Sequence, residues 1–277
     1  MTEPAAATTP ISAGRSPDLA IRTLSGVVMI VVALACLSVG GWAFRLLVTL
    51  VAGVMMAEWA GLMRATRWRQ ALGVIFALGL VLGLGEIAFA PEYWLGGSAS
   101  ALLPVLVFTL AAAAVLAIVT FSLPLGLGLV YVALPALALI YLREQQGVLV
   151  AFWAMALVWA TDIGAYFSGR KFGGPKLAPR ISPNKTWAGL IGGVIAAEIL
   201  SLIFSIFFGL SWVWAYFATL LAVSAQIGDL FESWLKRRAG VKDSGRLLPG
   251  HGGVLDRIDG LVPVAVIVAG LAIWGGP

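Results

Sequence analysis

Residues 93–142 read YWLGGSASALLPVLVFTLAAAAVLAIVTFSLPLGLGLVYVALPALALIYL, fifty consecutive positions without a charged side chain. A bilayer core of roughly 30 Å takes about 20 apolar residues in an α-helix, so this run is long enough for two crossings. Ser122, Leu123 and Pro124 supply the only plausible turn in it and divide it into helices over 99–121 and 125–142. Working outward, apolar runs cut at charges and turn residues predict spans at 23–44, 46–63 and 70–90 before it. Further spans follow at 147–169, 187–208, 212–236 and 260–275. The predicted fold is all-α, a polytopic integral membrane protein with about nine transmembrane helices. A short polar cytoplasmic N-terminus over 1–22 precedes a single membrane-embedded domain over 23–277.

Composition agrees. Of 277 residues, 61% are hydrophobic and 11% charged, whereas soluble globular domains carry about 25% charged residues. That excludes a soluble domain held by one amphipathic anchor. The first span continues past the length of a signal-peptide core and reads as a retained anchor. Cys36 stands alone, so neither an internal disulfide nor a thiolate metal site is available. The formal charge of +5 reads as topology rather than as a nucleic-acid footprint. With the N-terminus inside, sixteen of the 18 Lys and Arg residues fall inside, and only Arg45 and Arg143 fall outside. The expected setting is the cell (inner) membrane, with the N-terminus cytoplasmic, the C-terminus outside and the polar segments facing the cytoplasm. Tryptophans near span ends, among them Trp94, Trp153, Trp187 and Trp212, read as an interfacial belt.

The same parity predicts that Asp162, Asp229, Asp256 and Asp259 converge at one depth. An ionisable group inside a membrane segment costs about 2.5 to 3.5 kcal/mol on insertion scales, so a shared polar site is the economical explanation. Residues 233–260 read SWLKRRAGVKDSGRLLPGHGGVLDRIDG, a basic cluster, a glycine-rich turn and a pair of acids. If the last span begins by Leu255, Asp256 and Asp259 share one face of its first turn and can hold a divalent cation. Magnesium takes few carboxylates and completes its shell with water and phosphate oxygens, which suits acids without a Cys or His cluster. Asp229 is expected as a further ligand. Lys236, Arg237, Lys242 and Arg257 suit phosphate oxygens, and Gly250, Gly252 and Gly253 permit close backbone approach. His251 either donates to a leaving phosphate or satisfies the turn. The parts fit phosphoryl or nucleotidyl transfer. Other readings stand beside these: Arg238 as a topology determinant, Glu232 and Lys236 as an i,i+4 pair, and Asp256 as a helix cap.

The order Ser233, Lys236, Arg237, Lys242, Asp243, Pro249, His251, Gly252, Gly253, Asp256, Arg257, Asp259 resembles the signature of the phosphatidate cytidylyltransferase family, with no departure inside it. A second stretch, TDIGAYFSGRKFGGPKLAPRISPNKTWAG over 161–189, is similar to that family's other polar segment. There Ser182, Pro183, Lys185 and Thr186 match, while Asn184 stands where the family has Lys and Ala188 where it has Glu. Glu58, followed by Trp59, also looks family-like. The resemblance implies formation of CDP-diacylglycerol and pyrophosphate from CTP and phosphatidic acid. It implies Asp229, Lys236, Asp256 and Asp259 as catalytic residues, with the three Asp residues binding metal. Substrate binding then falls to Ser182, Lys185, Thr186, Ser233, Arg237, Lys242, Asp243, His251, Gly252, Gly253 and Arg257. The implied cofactors are Mg2+ and a second cation such as K+. The implied partners are the two substrates, membrane lipid and a second copy of the chain, with no nucleic acid. Two alternatives stay open: a CTP-dependent lipid kinase acting on a polyprenol- or phytol-type alcohol, and a secondary transporter.

Overall fold

The computed structural model describes residues 17–87, 98–245, 247–248 and 252–275. His251, Pro249, Gly250 and Trp94 lie outside them. The elements in chain order are α1 (Pro17–Val39), α2 (Gly41–Leu62), α3 (Arg67–Ile87), α4 (Ser98–Thr120) and α5 (Leu123–Tyr141). A single π turn (Leu142–Gln146) leads into α6 (Gly147–Phe172). A hairpin of β1 (Lys176–Ala178) and β2 (Ser182–Thr186) leads to α7 (Trp187–Phe208), α8 (Trp212–Tyr216), α9 (Ala218–Ala239), α10 (Leu255–Ile258) and α11 (Leu261–Gly275).

The chain is an all-α membrane protein apart from that one hairpin. Among the described residues, five helical stretches are long and apolar enough to cross a membrane, one of them the 50-residue stretch Leu123–Phe172 that joins α5, the π turn and α6. Thr23–Val39 and Leu261–Gly275 are apolar but shorter. The C-terminal half of α9 carries Asp229, Glu232 and Lys236, which lowers its hydropathy below that of a plain lipid-facing helix.

The break predicted between Thr120 and Pro124 is present, with α4 ending at Thr120 and α5 starting at Leu123. The first break lies elsewhere than predicted. The chain turns at Gly40 and Gly41, with φ of 70° and 51°, and Arg45 sits inside α2 rather than before it. A latch from the π turn holds this corner. Arg143 donates to the carbonyls of Leu37 and Ser38 at the end of α1, and Glu144 accepts from the Gly41 N–H at 2.9 Å and pairs with Arg45. The eighth predicted span is also divided, at Phe217, into α8 and α9.

Two packing features place the polar groups. At the α6–α7 contact, a Cβ on Gly164 would lie 2.5 Å from the Gly192 carbonyl and one on Gly193 would lie 2.8 Å from the Thr161 carbonyl. Small residues therefore let these helices touch backbone to backbone. Trp59 packs in a tilted arrangement against Tyr131 at 5.0 Å, lies 6.5 Å from Phe231 and donates to the Pro124 carbonyl, which fixes the C-terminal part of α2 against α5 and α9. Trp187, Trp212 and Trp274 are exposed at helix ends, as membrane-interface residues are. Trp153 is not one of them: it is fully buried against Trp214 and donates to Ser201.

Candidate active site

The β-hairpin carries the second family-like stretch to α9. Lys176 pairs with Thr186 and Ala178 with Ser182. Thr186 then turns the chain into α7, its hydroxyl accepting the Gly189 N–H at 3.1 Å as an N-cap. Lys185, one residue earlier, points at α9. Its ammonium lies 2.6 Å from Asp229 and donates to Gln226 at 2.8 Å. Asp162, Tyr166, Arg170, Asn184, Lys185, Gln226 and Asp229 line a cavity of about 610 Å³. Arg170 donates one N–H to the Tyr166 hydroxyl. Asp162 and Asp229 each stand ten residues before the C-terminal end of their helix, about 15 Å along the axis.

Asp259 joins this cluster from the turn between α10 and α11. Gly228 makes the approach possible, because a Cβ there would lie 2.3 Å from the Asp259 carbonyl. Burial, with the charges of Asp229 and Asp162 behind it, pushes the Asp259 carboxyl up to about 7; the Gly260 N–H and Lys185 oppose the rise. Asp259 thus stands close enough to Asp162 and Asp229 to feel their charges, while the cavity those two line also holds the Lys185 ammonium and the Arg170 guanidinium.

Asp256 faces the other way. One of its oxygens accepts from Lys236 at 2.6 Å; the other accepts from the Ser244 N–H, the Ser244 hydroxyl and the Gly253 N–H at 3.0, 3.0 and 2.8 Å. Burial alone would raise this carboxyl, but the neighbouring Glu232 together with the donors of Lys236, Gly253 and Ser244 holds it at about 2. Lys236 also pairs with the fully buried Glu232. The expected triad of Asp229, Asp256 and Asp259 is therefore not assembled. Among the described residues no three acid or imidazole side chains are grouped to hold a metal ion. The physical reason is local: α10 is a four-residue helix that ends before Gly260, and the donors of the 244–253 backbone capture Asp256 while Asp259 turns toward α9.

The other predicted residues divide in the same manner. Ser233 donates to Asp229 at 3.3 Å and belongs to the cavity side. Lys236 is enclosed between Glu232 and Asp256 rather than presented to a ligand. Arg237 is exposed and donates to the carbonyls of Ile181 and Val241, tying the hairpin to α9. Lys242, Asp243 and Arg257 are exposed, and Ser182 is half-buried in β2. Gly252, with φ of 82°, accepts the Leu248 N–H, and Gly253 donates to Asp256. Glu198, inside α7, accepts from the Thr219 hydroxyl at the start of α9. Asn184 lines the cavity where the family-like pattern expects Lys. Gln226, Arg170 and Tyr166 were not expected, because uncharged or loop-edge residues carry no motif of their own.

Comparison with known proteins adds the following. The description of the cytidylyltransferase family matches residues 20–273. A phosphatidate cytidylyltransferase of Brucella suis is 41% identical over 258 residues, covering 91% of this chain and 92% of that protein. One from Staphylococcus saprophyticus is 37% identical over 246 residues, 86% of this chain and 93% of that protein. One from Bacillus subtilis is 48% identical over 119 residues, 42% of this chain and 44% of that protein.

Proposed function

The chain belongs to the cytidylyltransferase family, and on that premise we propose how the geometry above carries out cytidylyl transfer. The enzyme is a phosphatidate cytidylyltransferase, converting CTP and phosphatidic acid to CDP-diacylglycerol and pyrophosphate in phospholipid synthesis. An oxygen of the lipid phosphate forms a bond to the α-phosphorus of CTP. The bond from that phosphorus to the β-bridging oxygen breaks, and pyrophosphate leaves with the electron pair. The nucleophile is already an anion, so catalysis rests on positioning and charge neutralisation rather than on a general base.

The observation that carries this reading is the cavity in which Asp162 and Asp229 meet Lys185, with Asp259 beside them. Carboxylate oxygens without a Cys or His ligand suit magnesium, which needs only one or two carboxylates beside water and phosphate. Asp229 and Asp259 would hold it, and when bound it neutralises the triphosphate. Asp256 is then a brace rather than a ligand. Asp162 is the remaining oxygen donor for a second cation such as K+. Lys185 uses two of its three donors on Asp229 and Gln226, leaving the third for a phosphate oxygen. Lys242 and Arg257 supply further positive charge along the same segment, and Lys236 acts by holding Asp256.

Among the described residues we read α1 to α7, α9 and α11 as nine crossings, with the N-terminus cytoplasmic and the C-terminus outside. The support is the charge distribution, with sixteen of the 18 Lys and Arg residues on the side read as cytoplasmic; of the two expected outside, Arg45 pairs with Glu144 and Arg143 donates to the carbonyls that close α1. CTP then reaches the cavity from the cytoplasm and phosphatidic acid from the adjoining leaflet. A homodimer is the assembly the family resemblance suggests. Purified protein given CTP and phosphatidic acid should release pyrophosphate, with Lys185→Met strongly impaired. No release from the unaltered protein overturns the reading.

A further inference from the structure

Glu58 touches neither the cavity nor its acids, yet its carboxylate is one of the few buried acidic groups, 8% exposed. Its burial is compensated by donors that all come from the 244–255 segment, some 190 residues away in sequence. One oxygen accepts the Val254 N–H at 2.9 Å; the other accepts the Leu255 N–H at 2.8 Å and the Ser244 hydroxyl at 3.2 Å. The approach is close on both sides. A Cβ on Gly245 would lie 2.6 Å from one Glu58 oxygen, and a Cβ on Gly253 would lie 2.7 Å from the other. Asp256 grips the same neck from the opposite side through Ser244 and Gly253. The two carboxylates meet at the Ser244 hydroxyl.

We propose that Glu58 is a positioning residue for cytidylyl transfer: it pins Ser244, Val254 and Leu255 to α2 and thereby fixes where Asp259 stands at the cavity. The transmission is short and stiff. Leu255 opens α10, and Asp259 follows that single turn. The Glu58 end is equally firm, since Trp59 is held by Tyr131, Phe231 and the Pro124 carbonyl. An aliphatic residue at 58 would leave the Val254 and Leu255 N–H groups facing a buried apolar wall, with the Ser244 hydroxyl turned to Asp256 alone. The segment would then move away from α2 and carry Asp259 with it. A displacement of about 1 Å at a reacting centre costs on the order of 100-fold in rate.

The kinetic part of this inference rests on the cytidylyltransferase reading; the clamp itself does not. Both are tested on the full-length protein in detergent with Glu58→Gln, Glu58→Ala and Ser244→Ala, and with Arg143→Ala as a control at the far end of α2. Hydrogen–deuterium exchange at Val254 and Leu255 should accelerate about tenfold in Glu58→Gln and remain unchanged in Arg143→Ala. In turnover, kcat should fall about tenfold for Glu58→Gln and about 100-fold for Glu58→Ala. The magnesium concentration for half-maximal rate should rise with them, while KM for phosphatidic acid stays within about twofold. If Glu58→Ala does not fold, Glu58→Gln and Ser244→Ala still decide the matter. Unchanged exchange at Val254 and Leu255 removes the clamp. Faster exchange with an unaltered kcat and magnesium dependence leaves a structural hydrogen bond and overturns the positioning role. Absence of cytidylyl transfer by the unaltered protein contradicts the functional reading alone.

Discussion

Asp259→Asn should make the metal-free protein more stable while abolishing its turnover. The Asp259 carboxyl is raised from an ordinary 3.8 to about 7, by burial first and by Asp229 and Asp162 after it. A raised folded-state pKa means that the folded protein holds the proton more tightly than the unfolded chain does. The associated stability is fully present below about pH 4 and is lost as pH rises through 7. At 1.36 kcal/mol per unit, the displacement sets an upper bound of roughly 4 kcal/mol above pH 8. Solvent in the adjoining cavity reduces it to about 1–2 kcal/mol. Asparagine carries no charge and keeps an acceptor for the Gly260 N–H, which Asp259 accepts at 2.8 Å. In chelator-treated detergent solution, the melting temperature of the unaltered protein should therefore fall between pH 5 and pH 8. That of the variant should stay flat and lie several degrees higher at pH 8. Turnover with magnesium should drop at least 100-fold. A variant that melts below the unaltered protein at pH 8, or one that keeps wild-type-like turnover, refutes the reasoning.

Asp256→Asn should behave oppositely. Its carboxyl is held at about 2, so the stability it contributes is present above pH 4 and lost as pH falls toward 2; the variant should lose about 2 kcal/mol at pH 7 and much less at pH 3, read by thermal melts. Arg143→Ala removes the latch on the carbonyls of Leu37 and Ser38 and should cost about 1.5–3 kcal/mol in denaturation without changing KM for CTP. Lys185→Met leaves Asp229 and Gln226 without their shared donor; KM for CTP should rise and kcat should fall by a combined factor of at least 100, measured by initial rates.

The helices were legible because length and hydropathy are local properties. The Ser122–Pro124 turn and the 187–208 span are placed correctly for that reason. The corner at Gly40 was missed because Arg45 looked like a boundary, whereas Glu144, about a hundred residues away, allows that charge to lie inside α2. The chemistry-bearing segment was recognisable from its residue order, but the partition of its acids was not. Spacing of three residues brings Asp256 and Asp259 to one face only while the helix continues, and α10 is a single turn. Which backbone donors would capture Asp256 depends on where Ser244 and Gly253 lie in space. Glu58 was visible as an acid in a span, and its three partners were not, because they come from a segment nearly two hundred positions later.

Supplying the purified protein with phosphatidic acid and CTP labelled separately at the α- or γ-phosphate tests the central claim most directly. Cytidylyl transfer places the α-label in the lipid product and the γ-label in pyrophosphate. A γ-label in the lipid with release of CDP would mark phosphoryl transfer and contradict the account.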